Sequence, residues 1–153
     1  MRLPEDFRDL LGEFASDQVE VVLVGGYAVA FHGRPRTTKD IDLLLSPEPS
    51  NLERAAGALK RFGAPSVVVE GIAALEPDEI VYLGQPPLRI DLMRRIDGVT
   101  TDQVIANSVE ADFDGLQVRV IGLADLIANK RAAGRPQDLI DADFLERVQE
   151  HGP

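Results

Sequence analysis

Asp40 and Asp42 in "DIDLLL" and Asp91 in "LRIDLM" place carboxylates inside apolar runs, where a plain core strand would carry Val or Thr. A period of two sends Asp40 and Asp42 to one face and Ile41 and Leu43 to the other. The roots of the two acids then lie about 7 Å apart, close enough to share a divalent ion or to bracket two. The plainer reading is a solvated strand edge, or pairing with Arg36 and Lys39. In the second run Arg89, Asp91 and Met93 share a face, and the plainer reading is a salt bridge from Asp91 to Arg89 or Arg94. Three aspartates converging from neighbouring strands would make a hard, oxygen-only site suited to Mg2+ or Mn2+. Such a site takes its remaining ligands from substrate phosphates, which puts phosphoryl or nucleotidyl chemistry first.

Gly25 and Gly26 stand between a β-branched run, "VEVVLVG", and a short helical run, "YAVAFHG". Two glycines after a strand and before a helix let backbone N–H groups converge on an anion. A tight turn alone also needs glycine. The pattern is not a Walker loop, which requires Gly-Lys-Ser/Thr, nor a dinucleotide fingerprint, which requires a third glycine.

These residues need a scaffold, and the chain supplies one. Phe7, Leu10, Leu11 and Phe14 recur at helical spacing, so Pro4 to Ala15 is predicted as an amphipathic helix. Val19 to Gly25 and "IDLLL" are predicted strands, joined by the short helix that Gly33 ends. Ser50 and Glu53 form an expected capping box for a helix closed near Gly63. "SVVVE", "EIVYLG" and "LRIDLM" are three further predicted strands, with turns at Pro77 and at Pro86-Pro87. "TTDQVIANS" is a predicted short helix and "LQVRVI" a last strand. Two helices finish the chain; Gly134 suits the end of the first, and Pro136 the first turn of the second. The fold class is therefore α/β (α+β), a small mixed sheet flanked by helices. Residues 1–153 are read as one domain, with a core over about 19–121 and C-terminal helices over about 122–150.

The bulk properties narrow the partners. A net charge of −10 argues against a broad nucleic-acid surface. Basic residues gather instead in "GRPRTTK", "MRR" and "NKRAAGR". No run approaches the roughly eighteen apolar residues of a membrane span, so no membrane partner is expected. The sequence has no cysteine, and "MRLPEDFRDL" lacks the apolar stretch of a signal peptide. A cytoplasmic location is the expectation.

Taken together, the strand, the Gly-Gly turn, the short helix, "RPRTTKDIDLLL" and the later "RIDLM" resemble the nucleotidyltransferase superfamily of DNA polymerase β. Within it, "VGGYAVAFHG…RTTKDIDLLL" is most similar to the branch of AbiEii-type toxins and stand-alone nucleotidyltransferases. The resemblance is strongest over 21–45, is supported at 88–93 and touches the last two helices. It implies a Mg2+-dependent transfer of a nucleoside monophosphate from an NTP such as ATP to a hydroxyl acceptor: a protein, a tRNA end or a small molecule. It also implies a place in a toxin–antitoxin pair, with a cognate toxin or antitoxin as partner. On this likeness Gly25 and Gly26 cradle the triphosphate, Asp40, Asp42 and Asp91 hold the metals, and Asp91 helps to deprotonate the acceptor hydroxyl.

The same likeness makes Lys130 the cation facing the nucleotide phosphates. A salt bridge to Asp138 or Asp141, neighbours on one helix face, stands equal beside that role. Arg36, Thr37, Thr38 and Lys39 either bind phosphate or solvate their loop. Tyr27 is read as core in preference to a base-stacking ring, and His32 as a helix cap beside Gly33 in preference to a nucleotide contact. The alternative from another class is a non-catalytic nucleotide-binding partner or antitoxin; the intact acid trio favours the enzyme. A dehalogenase-like phosphatase also uses Asp-x-Asp, but there the apolar strand precedes the pair and a Thr follows it. Here "LLL" follows the pair and Ser46 is the nearest hydroxyl on that side.

Overall fold

A computed structural model describes residues 3–34, 38–85 and 88–152. In chain order the elements are α1 (Glu5–Ser16), β1 (Val21–Val24), α2 (Gly25–Phe31), β2 (Asp40–Leu45), α3 (Pro49–Phe62), α4 (Ser66–Ala73), β3 (Ile80–Gln85) and β4 (Leu88–Met93). They continue with α5 (Thr101–Asn107), β5 (Val109–Phe113), β6 (Leu116–Val120), α6 (Leu123–Ala133) and α7 (Pro136–His151). The strands form one six-stranded mixed sheet in the order β3-β4-β2-β1-β6-β5. The β2–β4 and β1–β6 pairs are parallel, and the other three pairs are antiparallel. The mixed α/β class expected from the sequence is the class observed.

The four apolar residues of α1 are all buried, as their spacing requires. They join Ile41, Leu43, Ile90 and Leu92 from the sheet and Leu52, Ala55 and Leu59 from α3 in one core. Asn51 locks α3 to the sheet. Its Nδ2 donates to the carbonyls of Glu20 and Ser46, and its Oδ1 accepts from Glu20 N at 2.7 Å. The start of β1 and the end of β2 are thereby tied, and with them the register of the acid strand. α3 and α6 end on Gly63 and Gly134 in the left-handed conformation, and Pro136 opens α7.

Three local expectations fail. "SVVVE" is not a strand but the first part of α4. Its three valines favour extended backbone, yet only Val68 and Ile72 of this helix are buried, one turn apart, while Val67 is 74% exposed. Tertiary packing of a single helical face overrides β propensity. The Ser50–Glu53 capping box does not form: Pro49 occupies the first turn and Glu48 caps, so the helix starts before Ser50. β5 was not expected at all. It is the outer strand of a hairpin whose turn, Asp114-Gly115, has φ of 61° and 92° at its two residues, the backbone an Asp-Gly pair favours. The expected Pro86-Pro87 turn lies outside the described residues.

Candidate active site

The register of β2 builds the site. Asp42 pairs with Val24 of β1 on one side and with Asp91 of β4 on the other. The acid pair and the glycine turn are therefore one structure. Gly25 follows Val24 directly, with φ of +69°. A Cβ on Gly25 would lie 2.8 Å from Asp42 Cγ and closer still to one carboxylate oxygen. Any side chain at Gly25 would occupy the space of the Asp42 carboxylate.

Asp40, Asp42 and Asp91 stand on one face of the sheet, with Arg89 beside Asp40 in register. Asp42 and Asp91 are register partners, and each feels the other's charge. Burial pushes the Asp42 carboxyl up to about 7, and the neighbouring charges of Asp91 and Asp40 add to the shift; Lys130 opposes it. Arg89 bridges the other two acids. Its Nε and Nη2 donate to the two oxygens of Asp91 at 2.7 and 3.1 Å, and Nη2 also donates to Asp40 Oδ2 at 3.3 Å. The guanidinium lies 4.6 Å from the centre of the Tyr82 ring. Arg94 instead donates to the Leu75 carbonyl.

The second wall comes from α6 and α7. Lys130 is 8% exposed, and its Nζ donates to Asp138 Oδ1 at 3.2 Å and lies 3.7 Å from Asp141 Oδ2. Arg34 and Gln137 also reach Asp141, at 3.5 and 3.1 Å. Arg135 caps α7 jointly with Asp138. Burial alone would raise the Asp138 carboxyl, but hydrogen bonds from Arg135 and Lys130 outweigh it and hold it below the usual carboxylate range. The salt-bridge reading of Lys130 is thus present in the fold, and its charge still reaches Asp42.

A cavity of about 970 Å³ lies between these walls. Gly25, Gly26, Thr38, Asp40, Asp42, Asp91 and Lys130, residues far apart in sequence, all line it. Thr38 donates its hydroxyl to the Asp40 carbonyl at 3.2 Å and so braces the start of β2. Arg36 and Thr37 lie outside the described residues. Tyr27 is in the core, edge-on to Phe7 at 5.9 Å. His32 is the C-cap of α2, as expected, and its Nε2 also donates to the Ile121 carbonyl at 2.7 Å, which links α2 to the end of β6. Sequence reading named Arg89 only as a counter-ion and gave Arg34, Arg135 and Gln137 no part in the site. The position of Arg89 two residues before Asp91 on one strand face was the available signal.

Among the described residues no group of three acidic or imidazole side chains stands ready to hold a metal ion. The donor chemistry nonetheless fits one. All three donors are hard oxygens, and Arg89 with the raised Asp42 carboxyl marks a concentration of negative charge that a divalent cation would offset. Among the described residues no helix is long and apolar enough to cross a membrane.

A family model described as nucleotidyl transferase of unknown function (DUF2204) matches residues 4–152. No curated protein matches the sequence. Several solved structures are similar. One is the lincosamide antibiotic adenylyltransferase LnuA in its lincomycin-bound form, at 14% identity and TM-score 0.61, covering 96% of this chain and 98% of that one. Another is TM1012 from Thermotoga maritima, at 14% identity and TM-score 0.61, covering 99% and 97%. A third is ANT(2")-Ia in complex with adenylyl-2"-tobramycin, at 15% identity and TM-score 0.61, covering 95% and 87%. At such identities the likeness is one of fold.

Proposed function

The chain belongs to the family of nucleotidyl transferases of unknown function (DUF2204), and on that premise we propose that it transfers the nucleoside monophosphate of an NTP, ATP first among them, to a hydroxyl of a small molecule. The observation that carries the reading is the in-register pair Asp42–Asp91 on the cavity floor, with Gly25 packed against Asp42. Asp40, Asp42 and Asp91 would hold Mg2+ or Mn2+, which when bound neutralises the triphosphate and the departing pyrophosphate.

The chain's own groups do the rest. Backbone N–H groups at Gly25 and Gly26 bind phosphate oxygens, and Thr38 and Lys39 flank them. Lys130, fixed by Asp138 and Asp141, adds a positive charge that does not wander. The acceptor oxygen attacks the α-phosphorus, the bond to the pyrophosphate oxygen breaks, and the acceptor proton passes to the Asp91 carboxylate.

Two observations favour a small acceptor. The net charge of −10 opposes long RNA, and the similar structures above carry lincomycin and adenylyl-tobramycin. A cytoplasmic setting, where NTPs are plentiful, accords with this reading. No observation among the described residues favours a toxin or antitoxin role. The test is to incubate the protein with Mg2+ and each α-labelled NTP against three fractions: small metabolites and antibiotics, tRNA, and cell protein. Label in the small-molecule fraction supports the reading, and label in tRNA or protein reassigns the acceptor.

A further inference from the structure

The site contains two cations of different character. Lys130 is nearly buried and held by two carboxylates from α7. Arg89 sits at the rim, its side chain 34% exposed, on a β4 strand one position from the sheet edge β3. Lys130 is a fixture. The long, partly solvated stem of Arg89 lets its head leave without unpacking the core.

The head of Arg89 occupies a telling place. It spans Asp40 on β2 and Asp91 on β4, two of the three acids expected to bind metal, and its fork engages both oxygens of Asp91. Tyr82 of β3, paired in register with Asp91 and half exposed, gives the guanidinium a platform beside the acids. A guanidinium forked onto both Asp91 oxygens and onto Asp40 competes with a divalent cation for the same negative charge and repels it at close range.

We propose that Arg89 is the resident counter-cation of the metal-free site: it bridges Asp40 and Asp91, withdraws along the Tyr82 face when a divalent cation binds, and thereby sets the cation concentration at which the site loads. This rests on the metal-dependent reading above. Arg89 is then a positioning residue, which keeps the acid strands in register while the site is empty and competes with the ion that fills it.

The test is a calorimetric titration of Mn2+, without nucleotide, into wild type, Arg89→Gln and Arg89→Lys, with a melting curve for each metal-free protein. Arg89→Gln should bind Mn2+ about tenfold more tightly than wild type, the equivalent of one pKa unit of released competition. Arg89→Lys keeps the charge but loses the two-pronged geometry, so it should fall between them. Both variants should melt below wild type without metal, and the gap should narrow at saturating Mn2+. Equal or weaker Mn2+ binding by folded Arg89→Gln overturns the proposal and leaves Arg89 as a support for Asp91 in the loaded site. Absence of Mn2+ binding in all three proteins overturns the metal-dependent reading itself, and the proposal with it.

Discussion

Asp42 of β2 and Asp91 of β4 face one another in register across a parallel strand pair, each within reach of the other's charge. Two carboxylates in that position cannot both stay ionised without a compensating charge. Arg89 supplies it for Asp91, and below about pH 7 a proton supplies it for Asp42. Between pH 3.8 and about 7 the fold therefore holds a proton that the unfolded chain would release.

That proton has a measurable consequence. The Asp42 carboxyl is raised from 3.8 to about 7 in the fold, so between those values the native state binds more protons than the unfolded state. The stabilisation is complete below 3.8 and is lost as the pH rises through about 7. Metal-free wild type should accordingly lose melting temperature over that window more steeply than Asp42→Asn, which has no proton to lose. Parallel pH profiles for the two proteins would refute the raised Asp42 carboxyl.

Gly25 and Gly26 should separate under mutation. Gly25→Ala places a Cβ against the Asp42 carboxylate at a backbone φ of +69°, and should cost about 1–3 kcal/mol in denaturant unfolding as well as activity. Gly26 lies in the first turn of α2 and lines the cavity. Gly26→Ala should weaken NTP binding while leaving unfolding nearly unchanged. Equal losses of stability and affinity in Gly26→Ala would make it a turn residue only.

Asp138 reads with the opposite sign to Asp42. Its carboxyl is held low, so it stabilises the fold above 3.8, and that contribution is lost as the pH falls through its folded value. Asp138→Asn should cost on the order of 3 kcal/mol at neutral pH, because it leaves the buried Lys130 with one fewer partner. The deficit should shrink in acid. A constant deficit across pH would mean that the loss is one of packing and not of charge.

Much of this was legible in the sequence, and the failures have physical causes. The acid strands announced themselves because Asp inside Ile and Leu is costly unless it has work to do, and the strand period placed Asp40 with Asp42 on one face. The fold class followed from the strand and helix signals around them. Val67-Val68-Val69 misled because local propensity cannot see that only one helical face of α4 will find a partner. β5 was hidden by Glu110 and Asp112, although Ala111 and Phe113 alternate with them and Asp114-Gly115 is a hairpin turn signal. Lys130 with Asp138 and Asp141 was visible as a possible ion pair. Its completion by Arg34, from the far end of α2, depends on how the helices meet across the cavity, and no spacing rule reports that.

The central claim is that Asp42 and Asp91 form the working floor of a nucleotidyl transferase site, and one measurement tests it most directly. Wild type, Asp42→Asn and Asp91→Asn are each incubated with α-labelled ATP, Mg2+ and a mixed pool of hydroxylated small molecules, while label transfer and pyrophosphate release are followed together and folding is checked by circular dichroism. Wild type should release pyrophosphate and label an acceptor in equal amounts, and both folded variants should do neither. Equal transfer by Asp42→Asn, Asp91→Asn and wild type would contradict the account.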